Sequence, residues 1–212
     1  METDDALNST KKKIGIMGGT FNPIHAGHLM LAQWAMEDAG LDQILFIPAG
    51  YPYMKDKRQV LDGKDRLKMV ELAIEGNPCF AASGMEIVRE GYTYTCDTLE
   101  QLQTENNDAF LYFIMGADCL YTIEKWKDPE RIFQACSVIA AARNGSPLDD
   151  MEKKCLELKE RYGARIRLLQ FPAMELSSTN IRERVVNQQS IRYMVPEKVR
   201  SYILENHLYQ IS

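Results

Sequence analysis

Short apolar runs recur along the chain, spaced so that a helix fits between most neighbouring pairs. Ile14–Met17, Ile44–Ile47, Phe110–Met115, Val138–Ala142 and Ile166–Phe171 have strand length, and Phe80–Ala82 carries a weaker version of the signal. Helical spacing fills the intervals. Leu29, Ala32, Met36 and Ala39 recur along one stripe, Leu67, Val70 and Ile74 mark one face of Asp65–Ile74, and Thr95–Gln103 carries Leu99 and Leu102. Asp149–Tyr162 is a charged amphipathic stretch, and two closing helices are predicted to start near Ser177 and Pro196. Strands alternating with helices predict right-handed βαβ units and one α/β domain with a largely parallel sheet, here residues 13–209. In such sheets ligands lie at the carboxyl ends of the strands, near the point where strand order reverses.

Composition narrows the picture. A length of 212 residues suits a single domain with a substantial core. A net charge of −5 gives no broad basic surface, so no nucleic-acid partner is expected. No apolar run approaches the roughly 20 residues that span a bilayer, so no membrane partner is expected either. Residues 1–12 are expected to form a disordered extension; their start is polar and acidic and lacks the apolar core of a secretory signal. Lys11, Lys12 and Lys13 read as a solvated run before the first strand, with a phosphate-binding patch as the alternative. Five cysteines without a C-x-x-C pair favour reduced packing thiols and a cytoplasmic setting over a disulfide framework or zinc site.

The densest chemistry lies in Gly18-Gly19-Thr20-Phe21-Asn22-Pro23-Ile24-His25-Ala26-Gly27-His28. Two glycines at a strand end let the backbone approach a ligand, and the helix that follows presents unpaired N–H groups to an anion. His25 and His28 lie three positions apart, on one face of the first turn. Asn22 and Pro23 fix the turn, and Gly27 removes bulk between the imidazoles. Neither G-x-G-x-x-G after the first strand nor a Walker A sequence is present, which disfavours an ordinary dinucleotide-binding dehydrogenase or P-loop enzyme. A second helix start, Ser177-Ser178-Thr179-Asn180-Ile181-Arg182, reads as a hydroxyl N-cap or, with its arginine, as a phosphate cradle. No nucleophile–base–acid array stands out. The donors suit phosphoryl-type transfer, in which an anionic phosphate needs positioning and charge neutralisation rather than a general base.

The pattern G-G-T-F-N-P-x-H-x-G-H resembles the nucleotidyltransferase superfamily that shares an H-x-G-H signature with class I aminoacyl-tRNA synthetases. Its wording is similar to the bacterial nicotinate-nucleotide adenylyltransferases. Tyr94-Thr95-x-x-Thr98-Leu99, Gly116-Ala117-Asp118, Trp126, Ser137-Val138-Ile139 with Arg143, and Ser178-Thr179-x-x-Arg182 follow in the family's order, from Lys13 to Tyr209. The resemblance implies a Rossmann-like nucleotidyltransferase domain that joins ATP to nicotinate mononucleotide, with Mg²⁺ delivered by ATP and no dedicated metal site. The alternatives are nicotinamide mononucleotide as acceptor and, in another class, a non-catalytic nucleotide-sensing module. Oligomeric state is not legible in the sequence.

The same resemblance implies residue roles. His25, His28 and Arg182 act on the reacting phosphates, beside the backbone of Gly18, Gly19, Thr20 and Phe21, and Ser178 and Thr179 hold ATP phosphates. Trp126 stacks on the pyridine, and N–H groups at the helix beginning near Thr95 hold its carboxylate. Asp118 bonds a ribose hydroxyl or sits near metal-bound phosphates, unless it merely caps the next helix. Arg143 reaches the triphosphate or makes a surface salt bridge. Many relatives carry Pro-Pro-His-Lys in a loop where this chain has Pro52-Tyr53-Met54-Lys55, so Lys55 is retained and the loop histidine is not. His207 reads as structural.

Overall fold

The computed structural model describes residues 11–51, 60–143, 148–172 and 175–210. The strong apolar runs form strands, and except for the edge run Ile166–Phe171, where Arg167 and Gln170 are exposed, they are largely shielded on both faces, the environment of a parallel sheet covered by helices. The strands are β1 (Lys12–Gly19), β2 (Gln43–Pro48), β3 (Phe80–Ala82), β4 (Ala109–Gly116), β5 (Ser137–Arg143) and β6 (Ile166–Phe171). They pair in the order β3-β2-β1-β4-β5-β6, and every pairing is parallel. Strand order therefore reverses between β1 and β4, which places the expected ligand crevice beyond Gly19 and Gly116.

Helices fill every connection: α1 (Ala26–Ala39), α2 (Gly63–Ile74), α3 (Thr95–Glu105), α4 (Ala117–Thr122), α5 (Pro129–Ala135) and α6 (Leu148–Tyr162). α7 (Ser178–Val186) and α8 (Glu197–Glu205) close the chain. Two apolar cores follow from this winding. On one face Leu99 and Leu102 of α3, Leu120 of α4, Phe133 of α5 and Leu158 of α6 pack on Leu111, Phe113 and Val138. On the other, Ala32 and Ala35 of α1, Met69 and Val70 of α2, Ile181 of α7 and Ile203 of α8 pack on Ile44, Phe46, Ile114 and Ile139.

Several sequence expectations need correction. α4 and α5 were not foreseen; each is short, and α5 begins on a proline after Asp128, which adopts a left-handed φ of 45°. The buried residues of α2 are Arg66, Met69, Val70 and Ile74, with Leu67 only half-buried. Lys12 and Lys13 belong to β1, at the end opposite the glycines. Lys12 donates to Gln43, and the Lys13 backbone donates to Asp42, so this run is no phosphate patch. The expectation for residues 1–10 lies outside the described residues, as does Lys55. All five cysteines are free thiols. Among the described residues no helix is long and apolar enough to cross a membrane.

Gly50 follows β2 where the chain passes the segment after β3. A Cβ there would stand 1.9 Å from the Glu86 carbonyl oxygen, a backbone atom that cannot swing away. Gly50→Ala should therefore destabilise the fold by about 1–3 kcal/mol, the usual scale of an overpacked site. Urea midpoints at constant m-value check this; an unchanged midpoint would mean that the two segments separate freely.

Candidate active site

The turn between β1 and α1 is buried although it has no regular structure of its own. Phe21, Asn22, Pro23, Ile24 and His25 are all shielded from solvent, and Asn22–Pro23 is a cis peptide. Phe21 has a φ of 46°, uncommon for a bulky residue, and its ring lies edge-on to His28 at 5.1 Å. Gly19 makes this possible: a Cβ on it would approach the Phe21 ring to 3.1 Å.

His25 is the N-cap of α1 and His28 stands in its first turn. Their rings stack at 3.6 Å with an interplanar angle of 25°. Gly27 leaves room for the stack, since a Cβ there would fall 3.1 Å from His25 Nδ1. The His25 backbone N–H donates to His28 Nδ1 at 3.2 Å, so the neutral His28 ring carries its proton on Nε2. Burial pushes the His25 pKa down to about 4, leaving it uncharged at neutral pH. His25 Nδ1 is buried without a partner among the described residues, an orphan that an incoming oxygen or water would satisfy.

Distant elements fasten this turn. Arg182 Nη1 donates to Asn22 O at 2.9 Å, and Ser178 Oγ donates to Pro23 O at 2.8 Å, bringing the start of α7 onto the histidine turn. Ser177 is the actual N-cap of α7, accepting from the Asn180 N–H. The N-cap reading of this segment therefore holds on Ser177, while the Ser178 hydroxyl is turned to the histidine turn. Thr179 accepts from Arg182 Nη2 at 3.3 Å. Asn22 Oδ1 accepts from the Leu61 N–H at 3.3 Å and from the Tyr209 hydroxyl at 3.0 Å.

Sequence reasoning missed Arg66. It is 1% exposed, and its guanidinium donates to Thr20 O at 2.8 Å, Leu61 O at 3.0 Å and Gly50 O at 3.2 Å. One side chain thus ties the β1 turn to the chain leaving β2 and to the approach to α2. Its spacing with Met69, Val70 and Ile74 on the buried face of α2 was the signal that could have found it.

The remaining candidates sit around β4. Asp118 is exposed in the first turn of α4, whose N-cap is Gly116, so capping is not its task. Trp126 is half-buried, edge-on to Phe113 at 6.2 Å, in the segment joining a 3-10 turn to α5. Thr95 opens α3 behind Tyr94, an N-cap without a side-chain cap bond. Tyr51, Tyr92 and Tyr94 extend an aromatic chain from the end of β2 to this helix start, with centroids 5.1 and 6.5 Å apart. Arg143 ends β5 at the same edge of the sheet. Among the described residues no cluster of three or more His, Cys, Asp or Glu side chains could hold a metal. A cavity of about 640 Å³ lined by Val185, Gln188, Arg200 and Leu204 lies between α7 and α8 and includes none of these residues.

His25 makes acid stability a readout of this packing. Above pH 6.5 the ring is neutral folded and unfolded. Between pH 6.5 and about 4 the unfolded chain binds a proton that the folded chain refuses, so stability falls as pH falls, by up to about 1.4 kcal/mol per unit. His25→Gln should flatten that part of the profile. Denaturation curves of the two proteins that run parallel from pH 7 to 4 would show that the ring titrates normally in the fold.

The cytidylyltransferase-like family matches residues 16–184. A protein of Lachnoclostridium phytofermentans named probable nicotinate-nucleotide adenylyltransferase is 48% identical over 198 residues, covering 93% of this chain and 99% of that protein. A protein of the same name from Thermoanaerobacter sp. is 41% identical over 199 residues, covering 93% and 94%. In fold, the chain is similar to the Plasmodium falciparum nicotinic acid mononucleotide adenylyltransferase complexed with NaAD. The TM-score is 0.76 at 20% identity, over 93% of this chain and 97% of the other. With the histidine turn and the α7 cradle joined at the switch point, these relatives fix the assignment: the chain belongs to the cytidylyltransferase-like family and, within it, to the nicotinate-nucleotide adenylyltransferases.

Proposed function

We propose that this protein transfers the adenylyl group of ATP to nicotinate mononucleotide, forming nicotinate adenine dinucleotide and pyrophosphate in NAD biosynthesis. The phosphate oxygen of the mononucleotide attacks the α-phosphorus of ATP, and the bond from that phosphorus to the pyrophosphate oxygen breaks. The observation that carries this reading is the fastening of α7 to the histidine turn through Arg182 and Ser178. It brings a guanidinium, two hydroxyls, two helix starts and a stacked imidazole pair to one edge of the sheet.

Each group then has a task suited to its chemistry. The backbone of Gly18, Gly19, Thr20 and Phe21 lets a phosphate approach closely. His28 offers its Nε2–H to the α-phosphate, where charge grows during transfer. His25 supports that ring by stacking and offers a second neutral donor. Arg182, Ser178 and Thr179 hold the outgoing phosphates, with Arg143 and Lys55 as further cations toward the triphosphate. Asp118 receives a ribose hydroxyl or sits beside the metal-bound phosphates. Trp126 stacks on the pyridine, and N–H groups near Thr95 receive its carboxylate at the positive end of α3. The donors fit phosphate oxygens better than a bare cation, which suits Mg²⁺ carried in by ATP. When bound there, Mg²⁺ neutralises phosphate charge. Free thiols in every described cysteine suit a cytoplasmic enzyme.

Pyrophosphate release should need ATP, Mg²⁺ and a pyridine mononucleotide together. Release without the mononucleotide, or none with either pyridine form, would reject the reading. His28→Ala should lower kcat by about 10²–10³ while mononucleotide binding survives, as when one preorganised donor is removed. Near-native turnover would make the imidazole pair structural.

Acceptor choice should follow charge. Exchanging the carboxylate for a carboxamide removes a charge-assisted hydrogen bond of about 1.5–3 kcal/mol, or about 10–150-fold in kcat/KM. Trp126→Ala should weaken both acceptors alike, since stacking is common to both rings. Equal kcat/KM values, or a preference for the amide, would reassign the acceptor and leave adenylyl transfer in place.

A further inference from the structure

The two segments assigned to the acceptor's pyridine ring are held together by one cation. Arg131, in α5, donates through Nη2 to Asp97 Oδ1 at 2.8 Å, through Nε to Glu100 Oε1 at 2.7 Å and through Nη1 to Asp128 Oδ2 at 3.2 Å. Asp97 and Glu100 lie in the first two turns of α3, directly after Thr95, and Asp128 lies two residues after Trp126. Nη1 also approaches Cys96 Sγ at 3.5 Å, so the guanidinium rests against the first turn of α3. Lys127 reaches Asp128 alone, at 3.5 Å.

This arrangement has a cost in charge. Asp97 sits in the first turn of α3, where a carboxylate is drawn to the same positive helix end that the acceptor's carboxylate would use. Glu100 and Asp128 add two more negative charges around the same helix start. The guanidinium answers all three at once, and its hydrogen bonds hold the Glu100 carboxyl below the usual carboxylate range.

Resting on the adenylyltransferase reading above, we propose that Arg131 is a specificity-determining positioning residue, offsetting part of the negative charge of Asp97, Glu100 and Asp128 so that the α3 start accepts an anionic rather than an amide pyridine ring. Arg131 touches neither substrate. It acts through the field and placement of the helix start, so its loss bears on the charged acceptor and far less on the neutral one.

The test is the ratio of kcat/KM for nicotinate mononucleotide to that for nicotinamide mononucleotide, with thermal melting to follow the fold. Arg131→Met should lower the ratio about 3–10-fold, the scale of one partly screened charge, and the loss should shrink in high salt. Arg131→Lys, which keeps the charge but not the fork, should retain most of the preference. Adding Asp97→Asn and Glu100→Gln to the Met variant should restore it. A purely structural staple would lower both acceptors equally and respond to none of these charge rescues, which overturns the proposal. Should Arg131→Met fail to fold, Asp97→Asn alone carries the test: a raised ratio supports the proposal, and an unchanged ratio overturns it. A wild-type chain that uses neither mononucleotide refutes the adenylyltransferase reading and this inference with it, whereas a wild-type preference that Arg131→Met leaves intact refutes this inference alone.

Discussion

A buried turn without secondary structure must satisfy its polar backbone groups from elsewhere in the molecule. Apart from His25, whose N–H and carbonyl pair with His28 and the first turn of α1, the segment from Thr20 to Ala26 draws on distant partners. Thr20 O takes a bond from Arg66, Asn22 O from Arg182 and Pro23 O from Ser178, while the Ala26 N–H donates to Met194 O. Asn22 Oδ1 adds the Leu61 N–H and the Tyr209 hydroxyl. The site is therefore assembled by the approach to α2, by α7 and by the C-terminal segments as well as by the glycines and histidines within it. α7 does more than cover a sheet face: without it, the buried Asn22 and Pro23 carbonyls would lose their donors, at about 1–3 kcal/mol each.

That fastening sets the electrostatic character of the site. The imidazole pair is packed so tightly that His25 stays neutral, and the His28 Nδ1 acceptor role defines which nitrogen is left to donate. Formal positive charge comes instead from Arg182, supplemented by the partial positive charge of the helix starts. Arg66, the most deeply buried cation, faces carbonyl oxygens rather than a carboxylate, and its burial lowers the guanidinium pKa. It serves to shape the turn, while the more exposed Arg182 remains available to an incoming anion.

Much of this was legible in the sequence, for physical reasons that differ by element. Strands of a helix-covered parallel sheet appear as near-continuous apolar runs, so all five strong runs and the weak Phe80–Ala82 were visible. The histidine turn and the α7 start were visible because their residue types serve no ordinary packing need. α4 and α5 were not, since helices of six and seven residues leave too few turns for a period to register. Arg66 escaped as a site-building residue for another reason. Its partners are main-chain carbonyls 5 to 46 positions away, and sequence carries no mark of a backbone partner. The reversal of strand order between β1 and β4 was likewise beyond reach of periodicity.

The winding also separates the two substrates of the proposed reaction. α1 and α7, with the histidine pair and Arg182, pack on one face of the sheet, whereas α3 and the segment carrying Trp126 pack on the other. β1 and β4 lie between them, and the turns at their ends rise into the crevice. A transfer in which one oxygen enters as another leaves needs the acceptor oxygen and the departing pyrophosphate oxygen on opposite sides of the phosphorus. A sheet whose helices cover both faces supplies two such directions around one fixed edge. In the reaction proposed above, the acceptor belongs to the α3 side, where Arg131 pairs with a carboxylate cluster, and ATP to the α7 side, which carries a cation and hydroxyl donors without a neighbouring carboxylate bond. The asymmetry in charge between the two layers thus matches the difference between a singly anchored acceptor and a triphosphate.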